Sequence, residues 1–255
     1  MPAELTLPLD RALGFLLVGA RVGGAFACVP LPGVNAGPQP ARVLLTLGIT
    51  VALEPLWPSV PVAAASPGRM AVWMISEAAF GVTVGVAAAF LIETLLIASQ
   101  IFGLQAGYSY ASTVDPTTQA DSNVLMVFSN LTAGLLFFAF GLDRAVLRIF
   151  ARSLASHPPG TYAPGAAAGD AIVALGGNML ATGLRLAMPV VALLLLVDIA
   201  LALAGRIHQQ LQLLTLAFPI KMLAALAFLG VVMAYFPPVW RAAAERTLAR
   251  LAEIL

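Results

Sequence analysis

From Met70 to Ala98 the chain is apolar almost without interruption, with Glu77 and Glu93 as the charged residues of the stretch. About 20 apolar residues let a helix cross a bilayer, so this stretch exceeds one simple span. It must tilt, kink or extend beyond the lipid. Five further apolar stretches run roughly from Leu9 to Val29, Val43 to Leu56, Val124 to Phe140, Ile172 to Ala204 and Leu213 to Phe236. The one from Val43 is short and runs into Pro55, Pro58 and Pro61, and Pro189 is the natural kink in the one from Ile172. Such unequal lengths argue against six plain parallel spans. Composition then decides the solvent. The chain is 60% hydrophobic and 10% charged, whereas a soluble domain carries about 25% charged residues. The surplus apolar surface must meet lipid or the apolar faces of partner subunits. The expected fold class is all-α, a polytopic membrane protein of long, tilted and kinked helices with about six apolar segments.

Proline and glycine mark the breaks. Pro30 to Pro40, Pro67-Gly68 and Pro158 to Gly165 read as connectors, and Arg206 to Gln212 as a short polar joint. Pro237-Pro238 precedes an amphipathic tail, residues 239–255, that sets Arg241, Arg246 and Arg250 against Leu248, Leu251 and Leu255. No internal repeat is visible, and residues 1–255 read as a single membrane domain. Glu4 and Asp10 stand where a signal peptide would carry basic residues, so the first apolar stretch reads as a retained helix.

Several function classes lack their parts. The net charge is +1 without a basic run or acidic tail, which argues against a nucleic-acid partner. Cys28 is the one cysteine and cannot form an internal disulfide. His157 and His208 stand apart, so no zinc ligand set forms. There is no glycine-rich phosphate loop with its lysine and no G-x-S-x-G elbow. No catalytic residue, metal or cofactor is expected, and the chain does not read as an enzyme.

Charges within the apolar stretches cost about 3 kcal/mol each on insertion scales and should face protein or water. Glu77 and Arg185 favour a pair between packed helices or a position at a helix end. Glu93, Asp198 and Lys221 fit an ion pathway equally well. Glu93, Gln100, Leu104 and Gly107 share one helical stripe, with Gly103 at its edge, so this face should meet another helix or a wet lumen. Gly81, Gly85 and Ala89 form a row of small residues suited to close helix packing. The most distinctive segment runs from Gly103 through Gln105, Gly107, Tyr108, Ser109, Tyr110, Val114 and Asp115-Pro116 to Asn123. Asp115-Pro116 can start a turn into the next helix. A solvated connector seldom starts as apolar as Ala106 to Val114, which favours a loop folded back onto protein, into a pore.

In order along the chain, these residues resemble the FliR family, the flagellar type III export-gate membrane proteins with the injectisome relative SctT. The match is carried by Arg21, Pro30 and Pro40-Ala-Arg42, then by Glu77, Gly81 and Gly85. Gln100, Gly103, Gln105, Gly107 and Asp115-Pro116 follow, and Pro189, Arg206, Gln210-Leu211 and Phe218-Pro219-Ile220-Lys221 complete it. The chain departs from the family pattern at Asp198, where Asn is usual. It departs again at Gln209 and Gln212, and at Gly141-Leu-Asp143-Arg144 in place of a Gly-His pair. The resemblance implies a hetero-oligomeric helical channel built with FliP- and FliQ-like subunits, with FlhB- and FlhA-like components beside it. It implies a plug at Gly107 to Asn123, unfolded flagellar subunits as substrates, and the bacterial inner membrane at the flagellar basal body as the location. An injectisome subunit is the near alternative. An ion-coupled transporter of a small solute, using Glu93, Asp198 and Lys221, is the distant one.

Overall fold

The computed structural model describes residues 9–29, 39–57, 66–108, 124–162, 165–207 and 213–254. All regular structure among them is helical: α1 Leu9–Cys28, α2 Gln39–Ala52, a 3-10 turn Glu54–Leu56, α3 Pro67–Ala106, α4 Val124–Ala139, α5 Leu142–Ser156, α6 Ala166–Ile207, α7 Leu213–Val232 and α8 Phe236–Ile254. Each of the six apolar stretches has become a helix. Helices α1, α3 and α6 are long and apolar enough to cross a membrane, and α4 and α5 together form a fourth candidate bent by 57°. The uneven lengths have a direct consequence. With 40 residues, α3 extends about 60 Å at 1.5 Å per residue. The hydrocarbon core is about 30 Å thick, so an upright α3 leaves about half its length outside.

Helix ends sit where backbone chemistry places them. Pro67 opens α3, and Pro237 and Pro238 fall in the first turn of α8, positions where the missing N–H costs nothing. Gly141, at φ 66°, separates α4 from α5. Helices α6 and α7 continue through Pro189 and Pro219, each of which removes one backbone hydrogen bond.

The chain divides into two compact units, one formed by Met1–Phe90, Phe137–Leu175 and Arg246–Leu255, the other by Leu91–Leu136 and Gly176–Glu245. In the first unit, Val18, Val22 and Phe26 of α1 pack with Leu154 of α5, flanked by Ile49, Leu53 and Trp57. A second cluster joins Ala87, Leu175 and Leu251 with Phe90 and Ile149. Helices α1 and α3 touch backbone to backbone: Gly24 faces the Ala78 carbonyl, Gly81 the Arg21 carbonyl and Gly85 Ala25. A β-carbon at any of the three would overlap main chain. Glycine is required here for proximity, which strengthens dispersion where lipid offers little hydrophobic gain.

In the second unit Trp240 is fully buried and its indole N–H donates to the Leu91 carbonyl at 2.8 Å. Gly183 lies against the Thr94 carbonyl and Ile97. Phe102, Val190 and Leu194 are also fully buried in this unit. Large apolar side chains remain uncovered along α6, among them Leu180, Leu184, Leu196, Ile199 and Leu203.

Candidate functional site

The first unit contains a buried ion pair. Arg21 of α1 and Glu77 of α3 are both fully inaccessible and joined through Arg21 Nε and Glu77 Oε2. Arg21 Nη1 donates to Ser153 Oγ at 2.9 Å and Nη2 to the His157 carbonyl at 3.0 Å. The guanidinium lies 4.4 Å from the centroid of the Phe80 ring. The other Glu77 oxygen accepts the Gly160 N–H at 2.9 Å. Gly160 has φ 89°, and a β-carbon there would press on the Trp73 ring. Both charges therefore have several partners, which a buried pair needs to offset its desolvation. Tyr162 stands edge-on to Phe80 at 5.1 Å between centroids. Burial pushes its phenol above the ordinary tyrosine value, opposed by a hydrogen bond with Thr83 and the charge of Arg21.

The second unit holds Gly107 and Tyr108, the described start of the Gly107–Asn123 segment. Helix α3 ends with the Tyr108 N–H on the Gly103 carbonyl and the Gly107 N–H on the Leu104 carbonyl, both at 3.1 Å. Gly107 adopts φ 84°. This is the paired hydrogen-bond pattern of a Schellman ending, which glycine enters without β-carbon strain. A β-carbon on Gly107 would also strike the Phe218 ring of α7. The Tyr108 hydroxyl donates to the Met222 carbonyl at 3.2 Å. Burial pushes this phenol above the ordinary tyrosine value. Nearby in sequence, Gln105 Nε2 donates to Asp198 Oδ2 at 3.2 Å, and Lys221 Nζ lies 2.9 Å from Asp198 Oδ1. The end of α3 is thus fastened to α6 through Asp198 and to α7 through Met222.

Residues singled out from sequence therefore divide into groups. Gln105, Asp198 and Lys221 form one network, with Gly107 and Tyr108 at the adjoining helix end. Glu77, Gly81 and Gly85 belong to the α1–α3 crossing. Glu93 and Gln100 are exposed on the described chain, and Leu104 beside them is 66% exposed. Gly103 is buried and contributes its carbonyl to the helix end. Pro189, Arg206 and Pro219 are exposed, with Arg206 in the last turn of α6, where a cation suits the helix dipole. Ser109, Tyr110, Val114, Asp115, Pro116 and Gln210 lie outside the described residues.

Sequence reasoning missed Ser153, the His157 carbonyl and the Gly160 N–H as partners of the buried pair. Two of these three are backbone groups, which carry no sequence signal. It also missed Phe218 and Met222 as the seat of Tyr108, although the aromatic in Phe218-Pro219 offered a hint.

Residues 12–247 match the model of the family described as bacterial export proteins, family 1. The flagellar biosynthetic protein FliR of Pectobacterium carotovorum subsp. carotovorum is 30% identical over 199 residues, covering 77% of this chain and 76% of that protein. The FliR of Escherichia coli (strain K12) is 26% identical over 219 residues, with 86% and 83% covered. The FliR of Bacillus subtilis (strain 168) is 26% identical over 230 residues, with 88% of each chain covered. With its apolar helices and a match along nearly its whole length, the chain belongs to the FliR family of bacterial export proteins.

Proposed function

We propose that this chain is a subunit of the flagellar type III protein export gate in the bacterial inner membrane. It forms the export channel with FliP- and FliQ-like subunits, and its loop from Gly107 to Asn123 is a plug that closes the pore at rest. FlhB- and FlhA-like components act beside it, and unfolded flagellar subunits pass through. The role is non-enzymatic, and the driving energy comes from other components.

The observation that carries this reading is the fastened end of α3. A plug has to move at its tip while its root stays fixed. Gly107 and Tyr108 supply a root held by a Schellman ending, the Met222 carbonyl and the Phe218 ring. Asp198, Gln105 and Lys221 brace the last turn before it. Tyr108, Tyr110 and Val114 supply its occluding bulk, Tyr108 from the root where its hydroxyl meets the Met222 carbonyl, and Asp115-Pro116 anchors the loop. The uncovered stripe of Glu93, Gln100 and Leu104 supports the same reading, since a carboxylate and an amide are unsuited to lipid.

Deleting Ser109 to Asp121 in the assembled gate tests the proposal. Ion leak through the channel is expected to rise while the complex still assembles. Unchanged leak together with unchanged export would end the plug assignment.

A further inference from the structure

Helix α5 carries Arg144, Arg148 and Arg152 at four-residue spacing, on the face opposite the buried Val146, Phe150 and Leu154. All three arginines are exposed. No ion pair among the described residues includes any of them, whereas Arg11, Arg21, Lys221 and Arg241 are each paired with a carboxylate. Like charges one helical turn apart repel, so the stripe is short of counter-charge.

Arg148 and Arg152 line a cavity of about 670 Å³ within the first unit. Ser156 and His157 add polar groups, the His157 Nδ1 lying 3.2 Å from Ser156 Oγ. An aliphatic wall comes from Ala145 and Ile149 of α5 and from Leu248 and Ala249 of α8. Among the residues whose side chains are described, no acidic residue lines the cavity. The volume falls in the range of small-molecule sites. Two guanidinium groups can fork onto a phosphate, and the aliphatic wall suits glycerol and the first methylenes of an acyl chain. Free phosphate would satisfy the arginines and leave that wall wet. An acidic peptide would likewise leave it unfilled.

We propose that the cavity between α5 and α8 binds the phosphate headgroup of an anionic phospholipid, with Arg148 and Arg152 as its cationic contacts. This assignment is independent of the plug and concerns the chain's attachment to membrane lipid.

The test uses the full chain in a neutral detergent, mixed with phosphatidylglycerol and phosphatidylcholine of identical acyl chains. Bound lipid is counted by native mass spectrometry. The wild-type chain should retain phosphatidylglycerol about tenfold over phosphatidylcholine, from the attraction of two basic residues for anionic lipid. In R148Q/R152Q the preference should fall towards unity. R185Q removes an exposed arginine that does not line the cavity, and it should leave the preference intact. R148K/R152K keeps the charge and should keep most of the preference, which separates a lost site from a lost fold. Wild-type competition needs no variant: millimolar inorganic phosphate and an equimolar oligoglutamate peptide should both fail to displace the lipid. Equal retention of the two lipids, an undiminished preference in R148Q/R152Q, or displacement by either competitor would overturn the proposal.

Discussion

Arg21 and Glu77 show what one buried charge requires of its surroundings. Each is fully inaccessible, and the guanidinium has the Glu77 carboxylate, the Ser153 hydroxyl, the His157 carbonyl and the Phe80 ring around it. Removing one charge leaves the other uncompensated, at a cost of about 3–5 kcal/mol. Glu77→Gln should therefore lower the chain's stability by that order, measured as a fall in the denaturant midpoint in detergent. Arg21→Met combined with Glu77→Met should recover part of the loss, because no lone charge remains. Recovery absent in the double variant would show that the hydrogen bonds to Ser153 and Gly160 matter more than the charge balance. Tyr162 adds a pH-dependent contribution. Its folded phenol is raised by burial above the ordinary tyrosine value of 10.0, so the unfolded chain releases this proton first. The contribution is complete below about pH 10 and disappears as pH rises through the folded value. Comparing the alkaline stability of Tyr162→Phe with the wild type reads this difference.

Two elements depend on particular glycines for different reasons. At the α1–α3 crossing the requirement is space. Gly81→Ala would drive a β-carbon into the Arg21 carbonyl and spread the helices. Overpacking of this kind costs about 1–3 kcal/mol. Because Arg21 sits at the crossing, the same spreading should also weaken its pair with Glu77. Thermal unfolding of Gly81→Ala alone and combined with Glu77→Gln should accordingly give less than additive losses. At the end of α3 the requirement is conformation. Gly107→Ala must hold φ near 84° and also displace the Phe218 ring, with about 1–2 kcal/mol from the left-handed backbone alone. On the proposed plug reading its effect is local: ion leak through the assembled export gate should rise, while the Trp240 hydrogen bond to Leu91 and the chain's helicity persist. An unaltered leak would remove Gly107 from the gate's root.

For the whole molecule the dominant fact is apolar surface that the chain leaves uncovered. Val173 is 75% exposed, and Leu135 is 71% exposed. Lipid can cover such side chains, but Glu93 and Gln100 are also open and suit protein or water. The expected behaviour is a chain that gains stability from companions. Co-expression with FliP- and FliQ-like subunits should raise its yield and its resistance to heat, measured by size exclusion and thermal unfolding in one detergent. A lone chain that is monodisperse and equally stable without them would contradict the assembly reading.

The apolar stretches and their proline and glycine breaks determined the helices, because hydrophobic runs and lost backbone donors act locally. All six stretches are helical, and their unequal lengths follow from the uneven spacing of those breaks. The order of motifs from Arg21 to Lys221 was enough for the family. Glu77, Asp198 and Lys221 were recognisable as charges in need of company, but their companions were not. Arg21 lies 56 positions from Glu77, and Gln105 lies 93 from Asp198. Periodicity tells which residues share a helix face, and it is silent on which faces meet. That choice came from tertiary packing: glycines set the approach of α1 to α3, and the positive φ of Gly107 set the direction in which the chain leaves α3.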